Sequence, residues 1–312
     1  MNRIHIHSRQ FDAERSLYNL THGDVTDCIF AGPADGESVL KEARDITVSG
    51  CRFSLRYPLW HARDFRLTDS VMNESCRAPM WYTAQGTLDN CRIDGVKCLR
   101  ECDETLMRNC TVVSPEFGWK CRGLTVDGCD ITSEYLFWES RDLEIDSLTM
   151  HGKYSFQYTE NVHIKNSNLQ TKDAFWHAKN VLVEDSVVAG EYLGWFSEGL
   201  TLVRCQISGT QPLCYCKNLT LIDCTMGDDA DLSFEYSDVE ADVKGHIHSV
   251  KNPHTGHITA DSIGEIILED SIMETDCVIT ERTNKHTKHP AEKMSCPKLY
   301  GQHKKNPYGK KY

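Results

Sequence analysis

The sequence predicts an all-β chain wound as a single-stranded parallel β-helix of about eleven coils. Three observations predict it. First, a short unit recurs at a step of 19 residues: Cys110, Cys129, Leu148, Ser167, Ser186, Cys205 and Cys224 each stand 19 places after the one before. A fixed period near 20 marks a solenoid. The units are rich in Val, Ile, Thr and aromatics and alternate with period 2, which reads as strands rather than helices. Second, this small column is flanked by two apolar ones. Three places before it stand Val48, Leu67, Leu88, Met107, Val126, Ile145, Ile164, Val183, Leu202 and Leu221; two places after it stand Phe53, Met72, Ile93, Val112, Ile131, Met150, Leu169, Val188, Ile207 and Met226. No coil of this length buries its own apolar residues, and stacking makes one continuous core. Third, six places before the small column stand Asp45, Asp64, Gly123, Asp142, Asn161, Asn180, Gly199 and Asn218. These residue types tolerate a left-handed backbone, so the chain turns a sharp corner there in every coil.

In chain order, residues 1–23 precede the regular columns and are expected to cap the open end of the solenoid, with Arg3-Ile4-His5-Ile6-His7 alternating as a strand would. Residues 24–239 form the β-helix. Its first coil is four residues longer than the norm, and the segment GPADGESVLKEARDI has room for a short helical turn. The step from Ser70 to Cys91 is 21, which places a bulge within NESCRAPM. Residues 240–279 read as degenerate terminal coils, and 280–312 as a basic tail rich in Lys, His, Pro and Asn.

The coils DGCDI, EDSVV and VRCQI, with LFW and AFW between them, resemble an uncharacterised family of bacterial β-helix proteins within the pectin-lyase-like group. The resemblance spans about Asp24 to Val239. It implies the fold, with a right-handed winding preferred, and no established activity. The unbroken step of 19 and the lack of a hexapeptide pattern also favour the right-handed form.

A formal net charge of −12 argues against non-specific nucleic-acid binding. There is no apolar run of membrane-spanning length and no apolar leader, which favours a cytoplasmic protein. The fifteen cysteines are odd in number and sit largely in the inward columns, so reduced thiols used as small apolar filler are expected. No cofactor is expected. Asp127 and Asp146 are adjacent in the fold, but Arg108 and Lys165 flank them, so paired surface charge is preferred to a calcium site.

The second strand of each coil carries the candidate site. Trp60, Trp119, Trp138, Trp176 and Trp195 share one column, with small residues two places on. Large beside small fits an interior column, and alternate positions then face outward. This places Phe137, Phe156 and Phe175 outside as a substrate-binding row, with Phe196 and Tyr215 in the next. Glu101, Lys120, Glu139, Tyr158 and His177 are the candidate catalytic residues, on successive coils roughly 5 Å apart. Glu101 and Glu139 would be separated by about 10 Å, at the upper end of the range for an inverting glycosidase. His177 beside Tyr158 suits proton transfer near neutral pH. A contiguous exposed aromatic row asks for a partner, either a carbohydrate or a second copy of the chain. Against this stands plain structure: aromatic ladders and alternating Glu and Lys stabilise stacked strands by themselves.

A second cluster, His246, His248, His254 and His257, offers ligands of the type zinc, copper or iron would take, at a spacing that matches no known motif. P-loop, GxGxxG, GxSxG and HExxH patterns are absent. The favoured function is a scaffold or self-association and binding module. The alternative is a carbohydrate-active or carbohydrate-binding protein working on the aromatic sheet.

Overall fold

In the computed structural model, which describes residues 2–32, 37–282 and 287–288, the chain winds as a parallel β-solenoid of about fourteen turns, with no helix among the described residues. Each regular coil gives a six-residue strand to one sheet, as in Arg63–Thr68, Arg122–Asp127 and Glu198–Val203. It then gives a strand of two to four residues to a second sheet, as in Val71–Met72 and Asp130–Ser133. The long strands pair in parallel at the predicted step, Leu124 with Leu143 and Ile145 with Ile164. The first coil is longer (Thr21 pairs with Arg44) and the step of 21 pairs Arg63 with Ala84.

The coil count exceeds the expected eleven because both ends wind. Ile4–His7 pairs in register with Gly23–Thr26, so residues 4–23 make the first coil itself rather than a separate cap. Beyond Val239 the coils continue at shorter steps, with Asp238 opposite Thr255 and His246 opposite Ser262. Of the segment expected to hold a helical turn, residues 37–46 are turn and strand, and Pro33–Gly36 lie outside the described residues. The basic tail lies almost wholly outside them too.

The core is continuous from Val25 to Ile279. Its Cys and Ser column has a physical reason beyond size. The residue just before it takes a positive φ in coil after coil, for example Asp27, Asn109, Gly128 and Asn166. This corner leaves the next backbone N–H pointing inward, where no strand can accept it. The side chain one coil further on accepts it instead. Cys51 N donates to Ser70 Oγ at 3.0 Å, Ser167 N to Ser186 Oγ at 3.0 Å and Cys110 N to Cys129 Sγ at 3.4 Å. A buried N–H must find a partner, and small side chains bearing one acceptor supply it. All fourteen described cysteines are buried and free. The predicted corner six places earlier is also present, with positive φ at Asp45, Asp64, Gly123, Asp142, Asn161, Asn180, Gly199 and Asn218.

Candidate functional site

The third side of each coil corrects the sequence reading. Over most of the solenoid it is a turn, with alternate residues at positive φ: Tyr57 (59°), Leu59 (60°) and His61 (57°) in one coil, Tyr154 (44°), Phe156 (58°) and Tyr158 (57°) in another. Backbone N–H groups alternate in direction. Tyr57 N and His61 N donate to Arg77 O and Trp81 O on the next coil, while Leu59 N donates to Val39 O on the previous one. Such a backbone does not follow the two-residue alternation of a strand. Phe137, Phe156 and Phe175, expected outside, are fully buried and pack on one another, Phe137 tilted against Phe156 with centroids 5.7 Å apart and Phe156 stacked on Phe175 at 5.2 Å. They belong to the core and cannot form a binding row. The tryptophans are half-buried, and each lays its ring against the neighbouring coil. Trp176 Nε1 donates to Tyr192 O at 2.7 Å and Trp195 Nε1 to Gln211 O at 2.8 Å. Gln157 occupies the same place and makes the same bond to Asp173 O at 2.9 Å.

The other predicted residues do come together. Glu101, Lys120, Glu139, Tyr158, His177, Phe196 and Tyr215 stand on successive coils in one outward row, and Tyr236 extends it. The carboxyl-terminal half is a stacked ladder. Tyr158 and His177 lie 4.9 Å apart, His177 and Phe196 5.1 Å, and Phe196 and Tyr215 4.9 Å, all within 22° of coplanar. Phe196 remains 43% exposed and Tyr158 50%. Burial between two rings holds the His177 imidazole below its ordinary pKa, because the charged form loses water there. Burial likewise raises the Tyr215 phenol, with Glu235 adding to it.

The other half of the row is charged. Lys120 Nζ lies 3.5 Å from Glu139 and 5.5 Å from the Trp138 ring. A groove of about 580 Å³ runs here, lined by Glu101, Lys120, Glu139 and Tyr158 on one side, Arg122, Arg141 and Glu160 on the other, and floored by Cys121 and Ser140. A smaller depression of about 300 Å³ continues the line between His177, Phe196 and Tyr215 and the parallel row Lys179, Glu198 and Lys217. Register ties that second row together: Arg141 pairs with Glu160, Glu160 with Lys179, Lys179 with Glu198, and Glu198 with Lys217. Asp238, whose N–H donates to Cys216 O, comes next.

The histidine cluster does not form a metal site. Among the described residues no group of three or more His, Cys, Asp or Glu side chains is placed to hold an ion. His246 bonds Ser262, His254 bonds the carbonyl of Glu274, His257 bonds Glu240, and His248 is exposed on the same strand as His246. His254 lies in the connection between two strands and His257 on the second of them, so the rings of His246, His254 and His257 serve separate local partners.

A parallel β-solenoid with one outer ladder of rings and one of charges is the class that this geometry defines. The chain belongs to the family described as "Protein of unknown function (DUF3737)", whose model matches residues 4–280. No curated protein matches it. Among solved structures it is similar to a double mutant of the periplasmic alginate epimerase AlgG, at 9% identity and a TM-score of 0.29 over 90% of this chain and 74% of that one. It is similar to the catalytic domain of a GH87 alpha-1,3-glucanase in complex with nigerose, at 10% identity and a TM-score of 0.29, over 90% and 64%. The Streptococcus pneumoniae surface protein and adhesin PfbA matches at 7% identity and a TM-score of 0.28, over 90% and 83%. At such scores these likenesses say nothing about chemistry. No helix among the described residues is long and apolar enough to cross a membrane.

Proposed function

We propose that the protein is a self-association and binding scaffold, and that its working surface is the strip made by the aromatic ladder and the charged row beside it. The carrying observation is the continuity of this strip. From Tyr158 to Tyr236 every coil adds one ring, and the row alongside adds one charge per coil from Arg141 to Asp238. A contiguous aromatic surface that remains open to water favours association with a partner. Catalysis has less support. Glu101 and Glu139 are separated by a whole coil, and the lysine of that coil is engaged by Glu139. Size-exclusion chromatography with light scattering on the full chain tests the reading. A mass above that of one chain, reduced by Phe196→Ala, is expected; one-chain mass at every concentration would end it.

One observation favours a carbohydrate reading in second place. Rings inside the ladder have both faces covered, but Tyr158 ends the stack, with Glu139 rather than another ring of the row on the preceding coil. A sugar ring stacked on that face would lie in the larger groove with Glu139 and Lys120 in reach. A glycan array and a reducing-sugar assay test it, with Tyr158→Ala expected to abolish binding and Glu139→Gln or His177→Ala to reduce any turnover. Absence of both binding and turnover would remove the reading.

A further inference from the structure

From Arg141 onward the signs of the charged row alternate: Arg141, Glu160, Lys179, Glu198, Lys217, Asp238; before it the row holds Asp103 and Arg122, so Arg122 and Arg141 are like-charged neighbours. Alternation of this kind ordinarily serves pairing between adjacent strands of one chain. Here it does not. Among the described residues no ion pair or side-chain hydrogen bond joins any two of these six, and the first five make none at all. Other outer residues do pair: Arg122 with Asp103 at 3.1 Å earlier in this same row, and, outside it, Lys120 with Glu139 at 3.5 Å and Lys172 with Glu191 at 2.7 Å. The row therefore holds five charges in water at a spacing of about 4.8 Å, over a strip roughly 19 Å long.

Six alternating charges have a symmetry property. Read backwards, the row shows the opposite sign at every position. Two copies laid face to face about a two-fold axis that lies in the contact plane, at right angles to the row, run antiparallel. Arg141 then meets Asp238 of the second copy, Glu160 meets Lys217, and Lys179 meets Glu198. Every one of the six contacts is attractive. The same rotation keeps each row at its own lateral position, so ladder meets ladder: His177 lies against Phe196 of the second copy and Tyr158 against Tyr215. A parallel arrangement sets each charge against its own copy and is repulsive throughout. Two-fold interfaces are self-complementary in this way.

We infer that the occupant of the strip is a second copy of this chain, docked antiparallel with Lys179 opposite Glu198 at the centre. This rests on the self-association reading and adds the surface, the symmetry and the register. Charge complementarity of this type sets specificity and register rather than raw affinity, and high salt is expected to weaken the dimer.

The test is sedimentation equilibrium of the full chain, with far-UV circular dichroism as a check of folding. Wild type is expected as a dimer. Lys179→Glu alone and Glu198→Lys alone each create two like-charge contacts per dimer, and each should raise the dissociation constant at least about tenfold. An equimolar mixture of these two variants restores both central contacts and should recover dimer. Glu160→Lys with Lys217→Glu gives the same complementation at a second position and serves if either central variant fails to fold. A wild-type dimer that no reversal weakens overturns the surface but leaves self-association standing. Reversals that weaken the dimer without recovery on mixing overturn the antiparallel register. A wild-type monomer overturns both readings.

Discussion

Phe156→Ala and Phe196→Ala together decide which ring row lies inside. Phe156 is fully buried, tilted against Phe137 at 5.7 Å and stacked on Phe175 at 5.2 Å. Removing a buried phenyl ring loses its transfer free energy and leaves a cavity, together about 3–5 kcal/mol. Phe196 stacks equally well, at 5.1 Å on His177 and 4.9 Å on Tyr215, but is 43% exposed. Its loss forfeits about half of a burial value of ~1.5–3 kcal/mol, and water fills the space, so no cavity remains. Stacking adds a further ~0.5–1.5 kcal/mol for such a pair, giving a total of about 1–3 kcal/mol. Both residues have left-handed backbones, φ 58° and 60°, and alanine keeps that cost, so it cancels from the comparison. Urea unfolding followed by circular dichroism should therefore show Phe156→Ala more destabilising by about 2 kcal/mol. Equal losses, or a larger loss at Phe196, would refute the inward assignment of the Phe137–Phe156–Phe175 stack.

Four further outcomes follow from the same geometry. Trp195→Gln should be milder than Trp195→Ala by about 1 kcal/mol, because glutamine can keep the bond to Gln211 O just as Gln157 bonds Asp173 O; equal unfolding midpoints would count against it. Asn109 has φ 50°, so Asn109→Gly should be nearly neutral while Asn109→Val costs roughly 1–2 kcal/mol, read by the same unfolding assay. Burial pushes the Cys51 thiol up to about 11 and those of Cys76 and Cys277 up to about 12, so in a Cys296→Ser chain a thiol reagent at pH 8 should label none of these three until the protein is unfolded; Cys296 itself lies outside the described residues. His177 should titrate by NMR below the ordinary histidine value, set by burial. The unfolded chain then binds the proton more readily than the folded one. Stability contributed by the neutral ring is complete above the unfolded-state pKa and falls as pH drops from there through the folded one, and His177→Phe should remove that component.

The winding was legible because stacking forces the same choice in every coil. Asp, Asn or Gly recurs at the predicted corner, an acceptor-bearing small residue fills the column whose neighbour's N–H turns inward, and aliphatics flank it. The outer row from Glu101 to Tyr215 was legible too, since ionisable groups such as Lys120 and Glu139 cannot share the interior. The phenylalanines were misread for a definite reason: alternation of faces is a property of extended backbone, and Phe156 and Tyr158 are both left-handed. A signal for this does exist in the sequence. Gly118 and Gly194 occupy the column of Phe137, Phe156 and Phe175, with φ 69° and 76°. A Cβ on Gly118 would sit 2.4 Å from the Phe137 ring. Glycine among large hydrophobics marks a column that is both left-handed and crowded, and crowding belongs to the interior. The last steps were lost where the period itself changes. After Tyr215 the coil lengthens by two residues, so Tyr236 and Asp238, not Phe234, continue the outer rows, and Phe234 goes into the core. Counting on at 19 puts Phe234 in the ladder and Tyr236 in the charged row, which removes the sixth charge. Without Asp238 the row holds five charges, a sequence that reads the same in both directions, and its antiparallel complementarity cannot be seen.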